Sequence, residues 1–138
     1  MGFYSAPFNY DEPNTKKPMA FGLSSDVSMA TRIAKSAKIC QAAVHNFDRS
    51  ESLIARLKED KPFLILLDWD TCEAEAFKVL KEIRANADFK RVPVLGFVSS
   101  GIKNQVRDEA TRAGCHRVYT KTDFLKELDL ILARFAKS

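Results

Sequence analysis

The chain predicts an α/β domain: a parallel sheet with helices packed on both of its faces. Two observations carry this. Phe63-Leu64-Ile65-Leu66-Leu67 is an unbroken apolar run that ends in Asp68-Trp69-Asp70. Such a run reads as a strand buried on both faces, the type found in parallel sheets. The second observation is order: strand-like and helix-like segments alternate strictly from residue 18 to the end, which is the pattern of βα units joined by crossovers. An Asp directly after the apolar run stands where such sheets place their chemistry, at the carboxyl end of a strand.

The elements follow in order. Residues 1–17 read as an N-terminal extension. Pro7 and Pro13 stand among Asn, Asp, Ser and Thr, with no helical or strand period. Phe3, Tyr4, Phe8 and Tyr10 leave two readings open: a mobile tail, or a tail that docks. The domain proper spans 18–138. Met19 to Leu23 reads as a first strand. Asp26 to Lys38 reads as a helix with Ala30, Ile33, Ala34 and Ala37 on its inner face and Asp26 as a candidate N-cap. Gln41 to Asn46 is a short second strand. Asp48 and Glu51 have capping-box spacing before a helix that carries Leu53, Ile54 and Leu57. The third strand, Phe63 to Leu67, leads into a helix from Glu73 to Ala87 with Phe77, Leu80 and Ile83 on one face. Pro93 to Val98 is the fourth strand. Gln105 to Ala113 is a helix poor in large apolar residues, closed by Gly114. Val118 to Thr120 is the fifth strand. Thr122 is a candidate cap for a last helix that buries Phe124, Leu128, Ile131 and Phe135.

Composition narrows the function. At 138 residues the chain is long enough for one well-filled core. The net charge of +4 is mild, and no Lys/Arg run exceeds two residues, so nucleic-acid binding is not expected. Cys40, Cys72 and Cys115 are odd in number and widely separated. They predict reduced thiols and a cytoplasmic location, with no disulfide framework or zinc site. His45 and His116 lack metal-ligand spacing. No segment reads as a membrane span, and the N-terminus lacks the apolar stretch of a signal peptide. No glycine-rich phosphate loop, GxSxG motif or paired Cys/His is present, so the chain is not expected to be an enzyme.

From Pro18 onward the chain resembles the receiver domains of two-component response regulators. Leu67-Asp68 is followed at receiver spacing by Phe77, Val79-Leu80 and Ile83-Arg84. Val92-Pro93-Val94-Leu95 matches the usual opening of the fourth strand, and Ala113-Gly114 precedes Lys121 by the usual interval. The resemblance implies a flavodoxin-like (βα)5 sandwich, a five-stranded parallel sheet of order 2-1-3-4-5. It also implies a site. Asp68 is the candidate phosphoacceptor for a phosphoryl group arriving from a histidine kinase. Asp26, Asp68 and Asp70 (the last through its carbonyl) are candidate Mg²⁺ ligands. Lys121 is the candidate phosphoryl contact, or alternatively a counterion to Asp68 and Asp26.

The departures from the receiver pattern are as informative. One of two expected adjacent acids is Ser25. The expected hydroxyl at the end of the fourth strand is Val98, and the aromatic switch position on the fifth is Val118. Ser99 adjoins Val98, but if the strand continues its side chain points the other way. The usual prolines after the acceptor Asp and after the Lys are Cys72 and Thr122, and the small residue opening the third helix is Ala76. These losses resemble the degenerate pseudo-receivers, which keep the fold and use it for binding. Trp69 is expected to pack at the rim of the pocket.

The expectation is therefore a stand-alone receiver-like signalling domain that works through protein–protein contact without phosphorylation, with no cofactor beyond weak Mg²⁺. One alternative is a working phosphoacceptor served by a histidine kinase. A weaker one is a structural adaptor that binds through its N-terminal tail. The resemblance places the partner face on the fourth helix, fifth strand and fifth helix. There Lys103, Arg107, Arg112, Arg117 and Lys126 suit an acidic protein partner.

Overall fold

The computed structural model describes residues 17–99 and 104–137. Five strands form one parallel sheet in the order β2-β1-β3-β4-β5. They are β1 (Met19–Leu23), β2 (Ala43–Phe47), β3 (Leu64–Asp68), β4 (Val94–Val98) and β5 (Arg117–Thr120). The connecting helices are α1 (Val27–Ile39), α2 (Ser50–Leu57), α3 (Glu73–Ala85), α4 (Asn104–Ala113) and α5 (Lys121–Ala136). This is the flavodoxin-like architecture.

Every residue of β3 and of β4 is buried. Alternation along these strands splits the core into two layers. Ile65, Leu67, Val94 and Val98 pack on the α2–α3–α4 side with Leu80 and Ala110. Leu64, Leu66, Leu95 and Phe97 pack on the α1–α5 side with Ile33, Phe124 and Leu132. At about 25 cal/mol per Å² of apolar surface removed from water, these two layers supply the main drive for folding.

The helix ends differ from the sequence reading in instructive ways. Asp26 does cap α1, accepting from Met29 N–H at 3.1 Å. The inner face of α1, however, is Met29, Ile33, Ser36 and Ala37, and Ala34 faces solvent. Met29 and Ser36 extend the i, i+4, i+7 stripe that Ile33 and Ala37 begin, which turns the helix away from the Ala30–Ala34 line. Residue 41 is not in β2: Gln41 takes a left-handed φ of 59° and closes α1, leaving β2 to start at Ala43. Asp48 does not cap α2. The cap position is Arg49, which makes no side-chain cap, and Ser50 N–H donates to Glu75 Oε1 at 2.5 Å. A carboxylate brought in by α3 thus takes the place of the local one, and with this partner the Glu75 carboxyl is held below its ordinary pKa.

At the other end, α5 follows β5 with no intervening loop, so the cap moves from Thr122 to Thr120, whose hydroxyl accepts from Asp123 N–H at 3.1 Å. α3 stops at Ala85. Asn86 then turns the chain into a 3-10 segment, Ala87–Phe89, that buries Phe89. Gly114 closes α4 as expected, with φ 121°. Gly114 N–H bonds Thr111 and Cys115 N–H bonds Ala110, the pattern of a Schellman C-cap. No helix among the described residues is long and apolar enough to cross a membrane.

Candidate functional site

The carboxyl ends of β1, β3, β4 and β5 converge on Asp68, Asp70, Asp26, Ser99 and Lys121. The side chains divide into two groups.

The first group surrounds Asp68, which is fully buried. Its carboxylate accepts from Ser24 Oγ at 2.5 Å, Thr71 Oγ1 at 2.8 Å, Asp70 N–H at 2.9 Å and Thr71 N–H at 3.2 Å. A carboxylate has about four lone-pair sites, and here each is matched by a donor. The two hydroxyls also fasten the loop after β1 to the loop after β3. Ser24 Oγ accepts from Asp26 N–H at 3.0 Å, and Thr71 Oγ1 accepts from Ser25 N–H at 3.0 Å. Ser25 Oγ lies 3.5 Å from the Cys72 sulfur.

The second group centres on Lys121 at the start of α5. Its Nζ is 3.4 Å from Asp70 Oδ2 and 3.6 Å from Asp26 Oδ2. The counterion expectation holds for Asp26, but among the described residues Lys121 makes no ion pair with Asp68. The reason is geometric: Asp68 is enclosed by Ser24 and Thr71, whereas Asp70 and Asp26 stand at the mouth. Asp70 is also held by Ser99, whose N–H donates at 3.0 Å and whose hydroxyl donates to Oδ2. Burial pushes the Asp70 carboxyl up, but the Ser99 hydrogen bonds and the Lys121 ammonium outweigh it and hold the group below its ordinary pKa.

β4 ends at Val98, so the condition that would have turned Ser99 away does not hold, and Ser99 reaches the site from the first loop position. Val98 and Val118 both lie in the core on the α2–α3–α4 side. Trp69 is not at the rim. It is 2 % exposed and meets the Phe77 ring edge-on at 4.8 Å. Neighbouring residues of an extended chain point to opposite faces, so Asp68 and Trp69 part company. Gly96 makes room for the indole: a Cβ there would lie 2.3 Å from Trp69 Nε1.

Ser24, Thr71 and Ser99 were absent from the sequence-based site. Thr71 carried a signal, since Asp followed by a hydroxyl residue three positions on suits a local side-chain-to-backbone turn. Ser24 and Ser99 carried none beyond adjacency to strand ends. Among the described residues no group of three or more His, Cys, Asp or Glu side chains is disposed to hold a metal ion. Asp26 and Asp70 share the Lys121 ammonium, and Asp68 is saturated. In this arrangement the three side chains are committed within the domain, and the Asp70 ligand named from the sequence is its carbonyl.

On the partner face, Arg107 Nη2 donates to Val118 C=O at 3.0 Å, and the Arg117 guanidinium lies 4.3 Å over the Tyr119 ring. Arg112 and Lys126 are exposed. Lys103 lies outside the described residues.

No family model matches the chain, and no curated protein matches its sequence. Solved structures do match, and those compared are response regulators and a receiver domain of a sensor kinase. A response regulator from Hahella chejuensis superimposes with TM-score 0.76 at 17% identity, over 86% of this chain and 95% of that one. The receiver domain of a sensor histidine kinase from Pseudomonas aeruginosa, crystallised with magnesium coordinated in its active-site cleft, gives 0.73 at 19% identity, over 88% and 99%. A chemotaxis response regulator of Vibrio cholerae gives 0.72 at 14% identity, over 87% and 99%. The fold is that of CheY-like receiver domains.

Proposed function

We propose that this is a receiver-like signalling domain that acts through protein–protein contact and does not use Asp68 as a phosphoacceptor. The observation that carries the reading is the enclosure of Asp68. A carboxylate that attacks a phosphoryl group needs a free lone pair and an open approach. Asp68 has neither, being fully buried with four donors on its two oxygens. Two further observations support it. Lys121 is engaged by Asp26 and Asp70. Ser25 and Val98 stand where an intact receiver carries an acid and a phosphoryl-binding hydroxyl.

In this reading the hydroxyl latch formed by Ser24 and Thr71, together with the Asp26–Lys121–Asp70 bridge, holds the carboxyl-end loops in a single state. A partner then meets a surface that no phosphoryl group remodels. The partner proposed is an acidic protein surface, complementary to Arg112, Arg117 and Lys126.

The test uses acetyl phosphate with Mg²⁺ and intact-mass spectrometry. No base-labile phosphoryl adduct is expected, on the wild type or on Asp68→Ala. A stoichiometric adduct that Asp68→Ala removes supports the alternative, a phosphoacceptor served by a histidine kinase. Charge reversal at Arg112 and Lys126 is expected to weaken capture of an acidic partner, with Asp68→Asn, which keeps an oxygen for the Asp70 and Thr71 N–H groups, leaving capture unchanged.

A further inference from the structure

At the amino ends of β4 and β5, on the side of the sheet remote from Asp68, a cleft of ≈ 340 Å³ opens between the end of α3, the 3-10 segment and the turn after α4. Its floor is the outer edge of the core, where Leu80, Ile83, Val92 and Val94 line it, each at most 5 % exposed. Its rim is Arg84, Lys90 and His116. No acidic side chain lines it.

The rim side chains can each offer a donor. The side chains of Arg84 and Lys90 make no ion pair or hydrogen bond among the described residues, so both cations are uncommitted. His116 Nδ1 accepts from Val94 N–H at 2.9 Å. In the neutral ring this places the proton on Nε2, which points away from that bond and has no partner among the described residues. The glycine at the turn is part of the construction. A Cβ on Gly114 would lie 2.6 Å from Arg84 Cδ and 2.9 Å from its Nη1. The bare glycine therefore lets the Arg84 stem lie across the turn and bring its guanidinium to the cleft.

An apolar floor with Arg84, Lys90 and His116 on its rim selects one chemistry: an anion on an apolar body. The volume falls in the range of about 300–1,000 Å³ usual for small-molecule sites. We infer that this cleft binds a small amphipathic carboxylate, its aliphatic or aryl body on Leu80, Ile83, Val92 and Val94 and its carboxylate among Arg84, Lys90 and His116. The inference is independent of what Asp68 does.

Octanoate is the probe, titrated into ¹⁵N-labelled full chain and followed by amide shifts, with octanol and octylamine as neutral and cationic controls. Saturable shifts centred on Lys90, Val92, Val94, Gly114 and His116 are expected for octanoate, and far weaker ones for both controls. Arg84→Gln with Lys90→Gln should reduce affinity by about tenfold or more, the scale of losing charge-assisted hydrogen bonds. Lys90→Gln alone, which leaves the cover of Gly114 intact, should give a smaller loss with an unchanged spectrum in the free state. Absence of saturation at low-millimolar octanoate overturns the proposal. So do equal binding of octanol, shifts centred elsewhere, or full affinity in a folded double variant.

Discussion

Ser24 and Asp68, 44 residues apart in sequence, are joined by a 2.5 Å hydrogen bond at the carboxyl ends of two neighbouring strands. β1 and β3 pair in register up to Leu23 and Leu67, so the next residue on each strand is Ser24 and Asp68. The short reach of a serine hydroxyl suffices. What that bond encloses is a carboxylate with its hydrogen-bonding capacity filled from within the domain.

Stability should follow from that enclosure. Asp68→Ala strands two backbone N–H groups and two hydroxyls, and is expected to cost about 2–4 kcal/mol in urea denaturation. Asp68→Asn should cost less, about 1–2 kcal/mol, because its amide oxygen still accepts from Asp70 and Thr71 N–H. A neutral or stabilising Asp68→Asn would instead indicate crowding by neighbouring acids.

Asp70 should govern acid stability at the mouth of the site. Its folded pKa lies below its ordinary value of 3.8. A depressed carboxylate pKa contributes stability that is present above the unfolded value and lost as pH falls through the folded one. Stability should therefore decline below about pH 4, and the decline should be shallower in Asp70→Asn. Denaturant midpoints measured from about pH 5 to about pH 2 on both proteins check the slope.

Gly96 should tolerate no side chain. Trp69 is rigidly placed over it and has no room to retreat, being buried against Phe77. Gly96→Ala is expected to cost about 2–3 kcal/mol or more through overpacking. It should also red-shift the fluorescence of Trp69, the chain's single tryptophan. Unaltered emission with full stability would mean that the indole does not occupy this position.

The thiols should differ in reactivity. Burial pushes Cys115 up to about 11, against the opposing pull of the Arg117 N–H and the Trp69 indole. Cys72 is also buried, whereas Cys40 is partly exposed. Since the thiolate is the reacting form, native protein treated with iodoacetamide near neutral pH should gain one label, on Cys40, and unfolded protein three. The same shift contributes stability below Cys115's ordinary pKa of 9.0, which is lost as pH rises through about 11.

Gln41 is the one non-glycine described residue with positive φ. That conformation crowds a Cβ, so Gln41→Gly should stabilise the fold by about 0.5 kcal/mol despite the added freedom of the unfolded chain. Thermal unfolding at matched pH reads the sign.

Local pattern by itself determined the sheet, the five βα units and the Asp26 cap, because strand and helix periodicity are properties of consecutive residues. The resemblance to receivers placed Asp68, Asp70, Asp26 and Lys121 at one end of the sheet. Which of these side chains meet was decided only by tertiary structure. Asp68 could not be known to be sealed until β1 brought Ser24 beside it. Lys121 could not be assigned to Asp70 until α5 was seen to start directly at the end of β5. Ser99 could not be counted as a donor until β4 was seen to stop at Val98. Even the cap of α2 was taken over by Glu75 from another helix. Each of these contacts spans 25 or more residues of sequence. Local periodicity carries no information on distances of a few ångströms between loops that only the packed sheet brings together.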